Sequence, residues 1–574
     1  MNLKDKIEEI DICIGQQKYD KALIKINQLK KKKINSIDLL IRQVRINYLK
    51  ENYKDALELM ERISRMDPCN LNLQLLNLDI AIKAKNIAKS EKMLLTLEGK
   101  VSNQDLIGFK IQFYKLNNEN HKAIDLLKTK LGENKKLDRE ILFELGFLCN
   151  VNKNFHEALS YYDKALEIDN HSYDIFYNKG ITLSNLKRYD EAIDSFQSAL
   201  RIDSSGQQIY QELAGQYESK NDLLMAEKIL DHAINKFQDN SNLLCIKAFL
   251  QILKKNKQAA IEIYDEIIET SPEFIRAYCD KSYLLLANAE FQEGWKYYQY
   301  RQKHVDKCIV DDRRIKNIDN LDINKNIDIV GEQGIGDHIF HSRLLQKIKH
   351  QNKITVYTDS RLIKFLQGNY DNINFIDQKQ YKYNPNSLNL NIASLARFYI
   401  HDSNDIKFKN YLVEKNIDFK KNLIGISWFS GNQNWGQEKS IPLDFFKNIK
   451  LTSNQKFYNL QYGNFENEIK KFNQNNGNKI IDNKALDKYN DIYGLSKDIQ
   501  DCEYIITVSN VTAHLAGSLG KKCFLLLPKH LGKMWYWASK KHQSIWYPSV
   551  TVIPQDNYET WKDSIDKLNA LIDI

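Results

Sequence analysis

Two stretches of the chain repeat one order of apolar and polar positions. EILFELGFLCNVNKNFHEALSYYDKALEID aligns without a gap on DIFYNKGITLSNLKRYDEAIDSFQSALRID, which places Gly146 on Gly180, Ala158 on Ala192, Tyr162 on Phe196, Ala165 on Ala199 and Asp169 on Asp203. Each step is 34 residues (180 − 146). Carried forward, the small position of Ala192 recurs at Ala226, Ala260 and Gly294; carried back, it falls at Ala123, after a one-residue irregularity, then at Ser90, Ala56 and Ala22. A fixed period of this length marks a repeat architecture in which each unit buries its apolar face against the next. The spacing predicts paired helices over residues 1–304, with the small residues where the two helices of a unit cross and with Phe176, Tyr162 and Phe196 filling the space between crossings. Pro272 lies twelve residues beyond Ala260, where the second helix of its unit should stop.

A Gly/Ala position in one helix and two alanines seven apart in the next, repeating every 34 residues, resembles the tetratricopeptide (TPR) repeat. The resemblance implies an α-solenoid, a superhelix with a concave groove of the kind that holds an extended peptide or a partner protein. Support of the following region, or dimerisation, is the alternative use of the same array.

After FQEGWKYYQYRQKH (Phe291–His304) the pattern changes. A charged, Asn-rich stretch over 305–324 reads as a linker. Short β-branched runs then alternate with helical segments: 327–331, 353–358, 372–377, 424–429, 457–462, 504–509 and 523–528. Such alternation predicts parallel sheets flanked by helices. The polar stretch Asp418–Asn422 separates the runs into two Rossmann-like domains, 325–418 and 422–574, facing each other across a cleft. Ligands of such sheets bind beyond the carboxyl ends of the strands, which directs attention to three loops.

The first loop, GEQGIGDHIFHSRLL, carries Gly331, Gly334 and Gly336, which let the backbone turn tightly near a ligand, and a helix begins near Asp337. It is neither the dinucleotide fingerprint nor a Walker loop. Asp337 has two readings, a cap of that helix or a proton acceptor for a hydroxyl in the cleft. In the second loop, WFSGNQNWGQEKSIPLDFF, Ser430 follows a strand end, and Lys439 is either a surface lysine or a phosphate partner. In the third, VSNVTAHLAGSLG, a strand ends at Ser509-Asn510 and a helix starts at once, leaving the first amides, near Thr512, free for an anion. His514 in its first turn is either a satisfied structural histidine or a neutral hydrogen-bond donor to a phosphate oxygen.

Composition narrows the classes. Lys+Arg 83 against Asp+Glu 74 leaves a charge of +9 over 574 residues, too thin a surplus to indicate nucleic acid. The 43% apolar and 11% aromatic content excludes a wholly disordered chain. No uncharged apolar run long enough for a membrane span occurs, and the N-terminus lacks the apolar core of a secretory signal, so a cytoplasmic protein is expected. The eight cysteines are scattered without a C-x-x-C pair, which argues against zinc ribbons and redox centres.

Five segments in order, EGWKYYQYR, GEQGIGDHIFHSRLL, ISWFSGN with KSIPL, ITVSNVTAHLAGSLGKKCFLLLP, and the tail MWYWASKKHQSIWYPSVTVIPQDNYETW with its Trp546-Tyr547-Pro548-Ser549, resemble bacterial TPR arrays fused to a heptosyltransferase-like (glycosyltransferase family 9-like) domain. The resemblance runs from about residue 285 to the C-terminus. It implies a GT-B pair of Rossmann-like domains and an inverting, metal-independent transfer of sugar from a nucleotide donor, with Asp337 as general base, no cofactor and no metal. The nucleotide diphosphate would lie near Ser430, Lys439, Ser509, Asn510, Thr512 and His514. Two departures bear on the donor: Ser509 stands where many members place an aspartate, and Lys439 where relatives often have arginine.

The combined expectation is a glycosyltransferase that modifies a polypeptide, flagellar or another surface protein, recruited by the TPR groove. The alternatives are an enzyme acting on a glycan or lipid, and a non-catalytic adaptor that keeps the fold.

Overall fold

The irregularity near Ala123 reappears in the backbone. A computed structural model describes all residues except 1–2, 32–35, 134–137, 305–309, 314, 316–325, 349–352, 414–421, 433–435, 478, 530–533, 557–559 and 573–574. Among the described residues, nine helical hairpins follow one another from Leu3–Gly15 with Tyr19–Lys31 to Ile275–Ala287 with Phe291–Tyr298. The turn inside each hairpin holds one residue at positive φ: Gln17, Glu51, Lys85, Asn118, Lys153, Lys187, Asn221, Lys255 and Ala289. The spacing is 34 throughout, except for the steps of 33 and 35 on either side of Asn118. The hydrogen bonds there are those of a Schellman motif. Around Lys187 the Arg188 N–H donates to the Leu183 carbonyl and the Lys187 N–H to the Ser184 carbonyl, both at 2.9 Å.

The small positions are buried as the spacing predicts: Ala22, Ala56, Ser90, Ala123, Ala158, Ala192, Ala226 and Ala260 have no solvent exposure. The aligned pairs also pack alike. A methyl group built on Gly146 would stand 2.5 Å from the Tyr162 ring, and one on Gly180 would stand 2.7 Å from the Phe196 ring. In both repeats the aromatic of the second helix lies directly over the glycine of the first. The Lys257–Thr270 helix ends two residues before Pro272.

The chain divides into two compact units, Met1–Ile229 and Leu230–Ile574. The last hairpins therefore belong with the sheets, although the sequence placed its boundary at residue 304. The reason is visible in the core of the second unit, which takes in Phe291, Trp295 and Tyr298 together with Ile329 and Trp535. Of the linker, only 310–313 and residue 315 are described, and most of the 418–422 separator lies outside the described residues.

The first sheet consists of β1 (Ile327–Val330), β2 (Ile354–Thr358), β3 (Ile373–Asp377) and β4 (Leu388–Asn391), all parallel, in the order β3-β2-β1-β4. The second has β5 (Leu423–Ser427), β6 (Lys456–Asn459), β7 (Ile480–Ile481), β8 (Tyr504–Val508) and β9 (Cys523–Leu527). It is completed by β10 (Ser539–Lys540), β11 (Gln543–Ser544) and β12 (Val550–Pro554), in the order β10-β11-β12-β9-β8-β5-β6-β7. Only the β10-β11-β12 edge is antiparallel. Alternate residues of its strands feed two cores. Ile505 and Leu525 join the core shared with the first sheet, while Ile506 and Phe524 join one with Trp561 and Leu568 on the opposite face.

The seven runs read from the sequence are all strands. Those missed are β4, β7 and β10–β12. LNLN alternates asparagine with leucine and looks half polar, yet every residue of it is buried because Asn389 and Asn391 find partners inside. β7, β10 and β11 have two residues each, too few for any periodic signal.

Candidate active site

Among the parallel strands of each sheet the order reverses once, between β1 and β4 and between β5 and β8, and the crevice for a ligand should open there. In the first sheet this position is occupied by the chain itself. Glu332, just beyond β1, accepts from Arg301 Nη2 at 2.5 Å and Nε at 3.1 Å, and from the Ala393 amide at 3.3 Å. The ion pair is fully buried, and the guanidinium lies 4.3 Å over the Tyr298 ring. Asp312 fills the remainder, accepting from the Asn391 amide at 2.8 Å, Gln302 Nε2 at 2.6 Å and Ser394 Oγ at 3.1 Å.

The helix Ile335–Ser342 follows. Asp337 is its third residue rather than its cap, and its Oδ2 accepts from the Gly334 amide at 3.1 Å. Its Oδ1 is enclosed and has no hydrogen-bond partner among the described residues. Burial pushes the carboxyl up to about 6, against the opposing pull of the Gly334 N–H, the Lys439 ammonium and the Tyr536 hydroxyl. Asp337 thus ties down the first turn through Oδ2, while Oδ1 is enclosed in the neighbourhood of the Tyr536 hydroxyl.

Gly336 is required by the second sheet. A methyl group on it would come within 2.8 Å of the His514 ring, so the Ile335–Ser342 and Val511–Ser518 helices touch at this point. The cleft anticipated between the two sheets is a packed contact here. The other two glycines serve the local turn: Gly331 leaves room for the His338 ring, and Gly334 supplies the amide to Asp337.

On the second sheet, Asn510 caps its helix through the Ala513 amide and ties β8 to β5, donating to Ser427 Oγ at 2.8 Å and to the Phe429 carbonyl at 3.1 Å. Ser509 Oγ accepts from Trp537 Nε1 at 2.9 Å. Thr512 Oγ1 is buried and unpartnered among the described residues. Ser430 is buried, its amide donating to Ser440 Oγ at 3.0 Å, beneath the short helix Gly436–Lys439 that ends in Lys439. Lys439 is buried rather than on the surface, which lowers its ammonium while Asp337 opposes the fall. His514, 3% exposed, is pushed down to about 3 by burial and by the charges of Lys439 and Arg343, so it is neutral.

The structure therefore brings Asp337, Lys439 and His514 into one electrostatic neighbourhood, and it gives Ser509 and Asn510 strong structural partners of their own. Sequence reading missed Tyr536 beside Asp337, Trp537 on Ser509, Tyr547 on His514 and the Arg301–Glu332 pair. The Trp/Tyr density of the tail was the available signal for the first three. Beyond β6 and β7 lies an open groove of about 490 Å³, lined by Gln461, Tyr462, Asp482, Lys488 and Tyr489 among others. The Gly431 amide donates to Tyr462 Oη at 2.9 Å, joining the groove to the Ser430 loop. Among the described residues no group of three or more His, Cys, Asp or Glu side chains could hold a metal ion, and no helix is long and apolar enough to cross a membrane.

Comparison with known proteins places the repeats. Tetratricopeptide repeat models match residues 140–172 and 173–205. Protein FlbA of Caulobacter vibrioides is 26% identical over 150 residues, 25% of this chain and 24% of that protein, so the chain spans about a quarter of its length. Solved structures similar to the chain include a tetratricopeptide repeat protein from Parabacteroides merdae, 18% identical, with a TM-score of 0.34 over 43% of this chain and 98% of that one. YrrB, described as a TPR protein with an unusual peptide-binding site, is also 18% identical, with a TM-score of 0.25 over 32% of this chain and 93% of its own. With nine hairpins in one register and two repeats matched directly, the N-terminal half of this chain is a tetratricopeptide-repeat array.

Proposed function

We propose that the C-terminal region is a glycosyltransferase that takes a nucleotide sugar and passes its sugar to a polypeptide hydroxyl presented by the repeat array. The observation that carries this reading is the Asp337 carboxyl: one oxygen anchored, one unpaired, its proton affinity raised to about 6, beside Lys439 and the neutral His514. Near neutral pH it is ionised, yet basic enough to accept a hydroxyl proton. The hydroxyl oxygen bonds to the sugar anomeric carbon, the bond from that carbon to the diphosphate breaks, and the proton passes to Asp337 Oδ1. Lys439 and the Val511–Ser518 helix N-terminus balance the charge on the departing diphosphate. The groove beyond β6 and β7, with Tyr462 and Tyr489 on its walls, would seat the nucleoside.

A second reading is an adaptor that keeps the fold without turnover. The direct packing of Gly336 on His514 favours it, because that contact leaves no room for a ligand between the two helices. A thermal-shift panel of UDP-, GDP-, ADP- and CMP-sugars, followed by transfer assays on co-expressed proteins, separates the two. The transferase reading requires stabilisation by one nucleotide class and a turnover that drops about 10²–10⁴-fold in Asp337→Asn. Binding without transfer to any partner, or no binding at all, leaves the adaptor.

A further inference from the structure

Tyr547 occupies a position that neither the repeats nor the proposed chemistry uses. Its ring has no solvent exposure and is clamped on two sides: a methyl group on Gly517 would strike it at 2.6 Å, and the Arg343 guanidinium lies 4.5 Å from its centre. Its hydroxyl sits 3.1 Å from His514 Nδ1. The imidazole is equally confined, with the Trp537 ring 4.6 Å away on one side and Gly336 against its Cδ2–Nε2 edge on the other.

We propose that Tyr547 is a positioning residue that fixes His514 as the Nε2–H tautomer, so that its N–H, not a lone pair, faces the Gly336–Asp337 turn. A neutral imidazole carries one proton, and the hydrogen bond at one nitrogen decides where it sits. The phenol also carries one proton. With the Arg343 cation near the ring, the hydroxyl is the better donor of the pair; His514 Nδ1 lies within its reach at 3.1 Å, with the Ser518 hydroxyl as its other side-chain neighbour. If Nδ1 instead carried the proton, the buried phenolic O–H would lose this acceptor and His514 would turn a lone pair toward the turn. The ring cannot evade the choice by titrating, because burial and the two nearby cations keep it neutral. The consequence rests on the proposed function and requires the Gly336–His514 contact to part when the donor binds: an Nε2–H could then serve an anionic phosphate oxygen, whereas an Nε2 lone pair would repel one.

The test reads the tautomer directly, with no substrate. The full chain is labelled with ¹⁵N-histidine, and the His514 signals are assigned by difference from His514→Gln. The wild type should show a protonated Nε2 and a bare Nδ1, and Tyr547→Phe should convert this into a mixture of tautomers while its melting curve shows the fold retained. A wild-type His514 protonated at Nδ1, or a folded Tyr547→Phe with an unchanged tautomer, overturns the proposal. If Tyr547→Phe does not fold, the wild-type spectrum alone decides. Titration with UDP and ADP is a separate arm. Where either binds, the variant should lose about tenfold or less in affinity, the size of one hydrogen bond. Failure of both nucleotides to bind the wild type counts against the donor site and leaves the tautomer result standing.

Discussion

The two parallel sheets reverse their strand order in the same way but treat the resulting crevice differently. In the first, the Arg301–Glu332 pair and Asp312 fill it with charge supplied by the chain's own preceding segment. In the second, Asn510, Ser427 and Thr507 close the sheet's centre with uncharged hydrogen bonds, and the charged groups Lys439 and Asp337 stand at its rim. Strand order marks where a ligand can bind; what the chain itself inserts there decides whether one does. By this comparison the first sheet docks the end of the repeat array and lends Asp337 from the helix after β1, while the second supplies Lys439 and His514.

Glu332→Ala should produce the largest effect, because it strands the buried Arg301 guanidinium. A loss of about 3–5 kcal/mol is expected in chemical denaturation. Replacing the pair together, Arg301→Met with Glu332→Leu, should restore most of that loss. If the single variant is instead neutral, the first crevice is not a charged plug and the contrast between the sheets collapses.

Asp337→Asn comes next, and its sign depends on pH. The folded carboxyl binds its proton more tightly than an ordinary aspartate, at about 6 against 3.8. Its contribution to stability is therefore greatest below about pH 4 and is lost as pH rises through 6, on the order of 3 kcal/mol in all. The substituted amide would keep an acceptor for the Gly334 N–H without this loss. The variant should match the wild type near pH 4 and exceed its stability at pH 7. Equal denaturation midpoints at both pH values would show that Asp337 titrates normally.

The smallest effect is expected at Asn510. Asn510→Ala removes a helix cap and the two bonds that link β8 to β5, and should cost about 1–2 kcal/mol. A loss as large as that of Glu332→Ala would mean that the second crevice is as heavily built as the first.

Much of this was legible in the residues. The 34-residue period located every crossing, and even its one-residue slip near Ala123 returned as the displaced turn at Asn118. The seven apolar runs became strands, and the three loops at their ends hold the groups that converge, Asp337, Lys439 and the neutral His514. What stayed hidden depended on partners far away in sequence. Trp295 donates to the Ile400 carbonyl, Arg301 pairs across 31 positions, and Tyr547 reaches back 33 to His514. No local periodicity carries such information.

By itself the sequence determined the helical pairs, their small-residue crossings and seven of the strands. These follow from patterns spanning a few turns of helix or one strand, where side-chain size and polarity act on neighbouring backbone. Only the tertiary structure decided that the first crevice is filled by Arg301 and Asp312, that Lys439 is buried rather than exposed, and that Asp337 is raised while His514 is neutral. A pKa or an ion pair is set by desolvation and by charges within a few ångströms, and those neighbours are chosen by how distant segments pack.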